Sequence, residues 1–210
     1  YMVDLNAGFN GSENFAPDKR FGFFPAVSAG WILSEEKFMK KQKVIDFLKL
    51  RASYGIVGND NIGGTGDRFA YFTQFGSGNS YGFGPNGNLV YGIRETLLGS
   101  DKLTWEKSYK TNIGLEMMLW GKLNLTLDYY WERRKDILIQ RSSLPSMAGF
   151  DASIYANMGE MDNKGLEFSI NAVPVHTKDW KWTVGMNYTW NDSKITKLNV
   201  VDSEANFVQT

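Results

Sequence analysis

The segment Leu123–Arg134 reads LNLTLDYYWERR. Leu123, Leu125, Leu127, Tyr129 and Trp131 alternate with Asn124, Thr126, Asp128, Tyr130 and Glu132. A strand that points successive side chains to opposite faces produces this alternation. The same period recurs over Val3–Phe9, Leu48–Ile56, Ile113–Leu119, Leu166–Ala172 and Trp182–Trp190, and more weakly over Val27–Leu33. Seven strands are therefore predicted. Several exceed the length of about five or six residues usual in globular proteins. They approach the roughly 9–11 residues of a strand that crosses a bilayer at a tilt. Alternation alone does not say whether the apolar face is a protein interior or an outer wall.

The links between these strands alternate in length. Trp120–Lys122 is a short hairpin loop in which Gly121 can take positive φ, and Val175–Asp179 is another short link. Between Ile32 and Leu48, Ser34 is placed to cap a short helix with Glu35 and Glu36 in its first turn. The remaining links are long: Gly11–Arg20, about Gly58–Asp101 and about Arg141–Asn163. Short turns at one end and long loops at the other are the pattern of an up-and-down outer-membrane barrel. A forty-residue irregular loop within a compact soluble domain would count against such a domain. The loop after Gly58 is rich in Gly, Asn and aromatic residues. It reads either as solvated surface or as a surface that contacts a ligand or partner. In the second reading Tyr71, Phe72, Asn79, Tyr81, Phe83, Asn86 and Tyr91 are the contact candidates, with Phe150 and Tyr155 in the next long loop.

Composition sharpens this picture in places. No run of about 18 apolar residues exists, so a transmembrane helix is excluded, but strands can cross a membrane without one. Aromatic residues make up 15% of the 210 residues, with 22 glycines and only 5 prolines, and an aromatic-rich chain with few alanines favours strands. Lys+Arg and Asp+Glu both number 23, so net charge gives no reason to expect nucleic acid. Cysteine is absent, which removes disulfides and a thiol nucleophile. The chain starts without Met and without a signal peptide, and is expected to be an internal piece of a longer protein.

Little of the catalytic repertoire is present. The single His176 falls in a polar turn, with no second His for a zinc pair. Asp60, Asn61 and Asp67 do not fit the spacing of a calcium loop. No phosphate-binding loop or nucleophile elbow occurs. Asp128 and Glu116 could form a glycosidase carboxylate pair, but a polar barrel lining accounts for them more simply. Glu132–Asp136 reads as a solvated, mixed-charge rim. No cofactor and no metal site are expected.

Five segments resemble a known family. They are RFGFFPAVSAGWILSEEKFM (Arg20–Met39), LKLRASYGIVGN (Leu48–Asn59), LTWEKSYKTNIGLEM (Leu103–Met117), LDYYWERRKDILI (Leu127–Ile139) and NMGEMDNKGLEFSINA (Asn157–Ala172). In this order they resemble the C-terminal part of the barrel of SusC/RagA-type TonB-linked outer-membrane receptors, from Tyr1 to about Asn199. The resemblance implies an all-β, antiparallel transmembrane barrel, present here as a partial barrel of about seven strands with long extracellular loops. It implies residues 1–210 are one fragment of the barrel domain, without the plug and N-terminal regions. It further implies TonB-dependent import of oligosaccharides or peptides through a Gram-negative outer membrane. A SusD-like surface lipoprotein and the TonB complex are the implied partners, the latter acting through the absent N-terminal part. On this reading Tyr129, Trp131, Trp182, Tyr188 and Trp190 face lipid, while Arg51, Asn112, Glu116, Asp128, Glu167 and Asn187 line the lumen. A soluble carbohydrate-binding β-sandwich and a β-rich glycosidase are the competing readings.

Overall fold

A computed structural model describes residues 1–62, 68–141 and 153–198. Its strands are β1 (Met2–Gly11), β2 (Phe21–Ile32), β3 (Ile45–Asn59), β4 (Gln74–Phe83), β5 (Asn88–Leu98), β6 (Glu106–Leu119), β7 (Leu123–Arg141), β8 (Ser153–His176) and β9 (Lys181–Lys197). They form one 9-stranded sheet in the order β1-β2-β3-β6-β7-β8, with β9 on the flank of β8 and the β5–β4 hairpin at its far end. Every pairing is antiparallel except β5 with β8, which is parallel over two residue pairs only. Among the described residues the sheet does not close on itself.

All seven predicted strands are present, and two were not foreseen. β4 and β5 lie inside the stretch read as an irregular loop. Two other expectations also give way. Ser34 does not cap a helix: a single 3-10 turn spans Leu33–Glu35, begun by Ile32 without a side-chain cap. His176 is the last residue of β8, opposite Lys181, and the tight turn follows it, with Thr177 N–H donating to the Trp180 carbonyl at 2.8 Å.

The β6–β7 turn shows why the short links are short. Trp120 and Gly121 both have positive φ, 51° and 61°, and Lys122 N–H donates to the Leu119 carbonyl at 3.0 Å. A turn with two left-handed central residues matches the twist of the strands it joins, and glycine takes the second position without strain. The turn locks a register in which Leu119 faces Leu123, Leu115 faces Leu127 and Ile113 faces Tyr129.

That register extends across the sheet. One continuous row runs Trp31, Leu50, Leu115, Leu127, Phe168, Tyr188. The next runs Val3, Ala29, Ala52, Ile113, Tyr129, Leu166, Trp190. This apolar face is uncovered: Leu5 is 79% exposed and Val3 67%. Among the described residues the buried hydrophobic cluster sits instead at the long-loop end, where Phe15, Phe24, Ile62, Ala70, Leu97, Leu103, Trp105 and Tyr155 pack together. Trp105 stands edge-on to Phe24 at 5.1 Å between centroids, and its indole N–H donates to the Arg20 carbonyl at 3.1 Å. The cluster ties the β1–β2 link to the segments around the hairpin and fixes where the hairpin leaves the sheet.

Candidate functional site

The face opposite the apolar rows is polar and carries a charge ladder. Arg51 on β3, Gly114 on β6, Asp128 on β7 and Glu167 on β8 occupy one row. Lys49, Glu116, Thr126, Ser169 and Asn187 occupy the adjacent row. Arg51 bridges the two rows. Its Nη2 donates to Asp128 Oδ2 at 2.6 Å, and its Nε lies 3.1 Å from Glu116 Oε1. Lys49 Nζ stands 3.8 Å from Glu116 Oε2. Gly114 makes the crossing possible: a Cβ there would sit 2.6 Å from Arg51 Nε and 2.7 Å from Asp128 Oδ1. Only hydrogen leaves room for the guanidinium to lie flat across β6.

This geometry decides what Glu116 and Asp128 can do. A pair of glycosidase carboxylates keeps a gap of about 5–9.5 Å open for a sugar and water. Here the guanidinium of Arg51 fills the space between them and contacts both. The neighbouring polar residues continue the polar face of the sheet. Asn112 stands across from Ser53 and Tyr130. Ser169 Oγ donates to Asn187 Oδ1 at 2.8 Å. Among the described residues no group of acidic or histidine side chains is arranged to hold a metal ion. Asp67, one of the residues weighed for calcium, lies outside the described residues.

Toward the long-loop end the polar face holds a second network. Glu132 was expected in a solvated rim, yet it is only 8% exposed. Ser108 Oγ donates to its Oε1 at 2.6 Å, Arg134 Nε donates to the same oxygen at 2.7 Å, and Lys110 Nζ is 4.0 Å away. The strand therefore continues as hydrogen-bonded structure through Glu132 and Arg134. Ser108 and Arg134 share a face with Glu132's network through register and even spacing, a pairing visible only once β6 is aligned on β7.

The loop candidates divide. Tyr71 and Phe72 sit in a turn with ring centroids 4.3 Å apart. Tyr81 and Phe83 project from β4, edge to face at 5.2 Å, and Tyr91 projects from β5. Asn79 lies at the register shift between Ser77 and Ser80, and Asn86 in the turn that joins β4 to β5. Phe72, Tyr81, Phe83 and Tyr91 are exposed, as are Leu89 and Ile93 on the same hairpin, while Tyr71 is half-buried. Tyr155 differs, being 6% exposed within the buried cluster, so its ring is packed against protein. Phe150 lies outside the described residues. What the sequence did not show is that most of these rings stand on a regular hairpin.

At both ends of the apolar face lie aromatic residues. Tyr1 stacks on Trp31 at 5.8 Å near the short links, and Glu36 accepts hydrogen bonds from the Tyr1 hydroxyl and the Trp31 indole, both at 2.9 Å. These contacts hold the Glu36 carboxyl below its ordinary pKa, the Trp31 bond contributing most. Trp182 shares that end, while Tyr129, Trp131 and Trp190 stand toward the long-loop end.

Comparison with known proteins agrees with this geometry. The family model for the "TonB dependent receptor-like, beta-barrel" domain matches residues 3–209. The TonB-dependent receptor SusC of Bacteroides thetaiotaomicron is 37% identical over the whole chain, which covers 20% of that protein. The TonB-dependent receptor P39 of Formosa agariphila is 34% identical over 94% of this chain and 18% of its own length. Among solved structures, the RagAB peptide importer in its closed-closed state superposes with a TM-score of 0.78 at 26% identity, covering 93% of this chain and 20% of that one. The chain thus spans about a fifth of the length of the relatives it matches.

Proposed function

The chain belongs to the TonB dependent receptor-like β-barrel family, and on that premise we propose that it forms part of the wall of an outer-membrane importer. The observation that carries the reading is the inverted sheet: an apolar face open to its surroundings and an opposite face laced with ion pairs. In water an uncovered face of this size drives association. In a bilayer it is the solvated side, and the polar face lines the lumen. Tyr129, Trp131, Trp182, Tyr188 and Trp190 then face lipid and its interfaces, the positions where aromatic girdles form. Asn112, Glu116, Asp128, Glu167 and Asn187, with Arg51, line the lumen. The short links point to the periplasm and the β4–β5 hairpin to the cell exterior.

In this role the wall passes an oligosaccharide or a peptide inward, in concert with a SusD-like surface lipoprotein and with energy from TonB acting elsewhere in the full-length protein. Tyr81, Phe83 and Tyr91, with Tyr71 and Phe72, offer stacking planes for cargo or lipoprotein at the outer mouth. The soluble sandwich is disfavoured because a sandwich buries its apolar face under a second sheet, and none covers this one among the described residues.

The test uses the full-length receptor. It is expected in the outer-membrane fraction, released only by detergent, and its cargo uptake is expected to stop in a strain without TonB. Recovery in the aqueous phase without detergent refutes the reading. The neighbouring genes separate the two cargo classes: glycosidases beside it point to a glycan, peptidases to a peptide.

A further inference from the structure

The apolar face changes character abruptly on β6 to β9. From Leu123 to Tyr129 the outward residues of β7 carry no charge. Beyond Trp131 they become Arg133 and Lys135. The row through Trp131 continues into Lys164 and Asp192, and the row through Arg133 continues into Asp162 and Lys194. Arg133 Nε lies 3.1 Å from Asp162 Oδ1, and Lys164 Nζ lies 3.3 Å from Asp192 Oδ2. Lys135 Nζ stands 5.9 Å from the centre of the Tyr109 ring. Four cations thus meet two carboxylates on this patch, a surplus of two positive charges. Two recesses flank Trp131. One is lined by Tyr54, Tyr109, Thr111 and Trp131 together with Arg133 and Lys135. The other runs between Trp131 and Lys164, Asp192 and Lys194.

These charges cannot serve the lumen, because they are on the opposite face from Arg51 and Asp128. On β8 and β9 they begin level with Trp131, the aromatic ring that closes the apolar belt, and on β7 two residues past it, about 7 Å along the strand. In a membrane-spanning sheet, an aromatic ring followed by charge marks the interface where headgroups begin. A guanidinium matches a phosphate with two parallel donors, and ammonium groups add attraction to an anionic surface. Trp131 offers its apolar body to an acyl chain below and its edge to the headgroup above. We propose that this patch binds the phosphate-bearing headgroup of a lipid in the outer leaflet, with Arg133 and Lys135 on one side of Trp131 and Lys164 and Lys194 on the other. The proposal rests on the reading of the chain as a membrane-spanning wall.

The test compares the full-length receptor with its Lys135→Gln/Lys194→Gln variant in phosphatidylcholine vesicles doped with diphosphorylated lipid A. Lipid retained per receptor after detergent washing is the readout. Each lysine removed should weaken retention about fivefold, from the roughly 1 kcal/mol that a basic residue contributes near an anionic surface. The lumen-side change Lys110→Gln should leave retention unchanged, and the wild-type retention should fall as salt rises to about 1 M, where screening is short-ranged. Equal retention by wild type and the double variant overturns the proposal, as does equal retention of dephosphorylated lipid or indifference to salt. A receptor that inserts into vesicles yet gives any of those results removes the headgroup site alone. A receptor that never inserts removes the membrane reading beneath it.

Discussion

Leu127→Arg tests the assignment of faces most directly. Leu127 lies four residues from Leu123 and four from Trp131, the two ends of the apolar run on β7. At about 3.4 Å per residue that is roughly 14 Å of strand on each side. A strand tilt of about 40° converts this to roughly 10 Å of depth, which puts Leu127 near the middle of a belt about 25 Å tall. Its row neighbours are Leu115 and Phe168, and it is 37% exposed with no polar partner at hand. An arginine there should cost about 2–4 kcal/mol, roughly 30- to 700-fold in the folding equilibrium. Thr126→Arg is the control one residue away. It points to the other face, between Glu116 and Ser169, and a cation beside a carboxylate there should cost less than about 0.5 kcal/mol, the range of ordinary surface changes. Guanidinium unfolding of the full-length receptor in lipid vesicles, followed by tryptophan fluorescence, measures both. Costs within about 0.5 kcal/mol of each other, or a larger cost for Thr126→Arg, would sink the assignment.

Other consequences follow from the same geometry. Gly114→Ala should push Arg51 off Asp128 and cost about 1–3 kcal/mol as an overpacked site, read as a lowered unfolding midpoint; a neutral result would mean that the guanidinium does not cross β6 as described. Glu132→Gln should cost about 1–3 kcal/mol because Arg134 and Lys110 lose their partner in a nearly buried site, and Glu132→Asp, too short to reach Ser108, should recover little of it. Tyr81→Ala with Phe83→Ala should leave the unfolding midpoint within about 0.5 kcal/mol of wild type while reducing lipoprotein or cargo binding to the full-length receptor; unchanged binding would relieve the hairpin of that role. Because hydrogen bonds from Trp31 and Tyr1 lower the Glu36 pKa, its contribution is present above the unfolded carboxylate pKa of about 4.3 and is lost as pH falls through the folded value. Trp31 fluorescence should therefore shift on acidification and stay flat in Glu36→Gln.

The seven alternating strands were legible because each carries an apolar face over a run of several residues, so each strand carries its own signal. β4 and β5 were not, because glycines at 76, 78, 82 and 92 and a register shift between Ser77 and Ser80 break the period. Their apolar residues stand on both faces of a projecting hairpin, which alternation does not encode. Ser34 looked like a cap, but the link is organised from its other end. Gln42 Oε1 accepts from the N–H groups of Val44 and Ile45, both at 2.7 Å, and directs the chain into β3. The Arg51–Asp128 contact could not be read from spacing, since the residues are 77 apart and meet only when two registers are both known.

The two faces of this sheet are held in place by different interactions, and that division explains how an open wall keeps one register. Within the apolar belt from Leu123 to Tyr129 the contacts are non-directional, since one aliphatic side chain packs nearly as well against lipid or against the next one along. A slip of one residue would turn Leu115, Leu127 and Phe168 inward and carry Arg51 and Asp128 into the apolar layer. The ladder of Lys49, Glu116, Arg51 and Asp128 makes that slip costly, because it would separate charges that are paired at 2.6 to 3.8 Å. Each ion pair adds little stability when half exposed. Three of them across β3, β6 and β7 nonetheless specify a single alignment, and the glycine at 114 is what lets one arginine serve two strands at once. On this account the charges of the polar face act first as register pins for the wall, and the same alignment delivers the aromatic rows and the hairpin to their ends of the sheet.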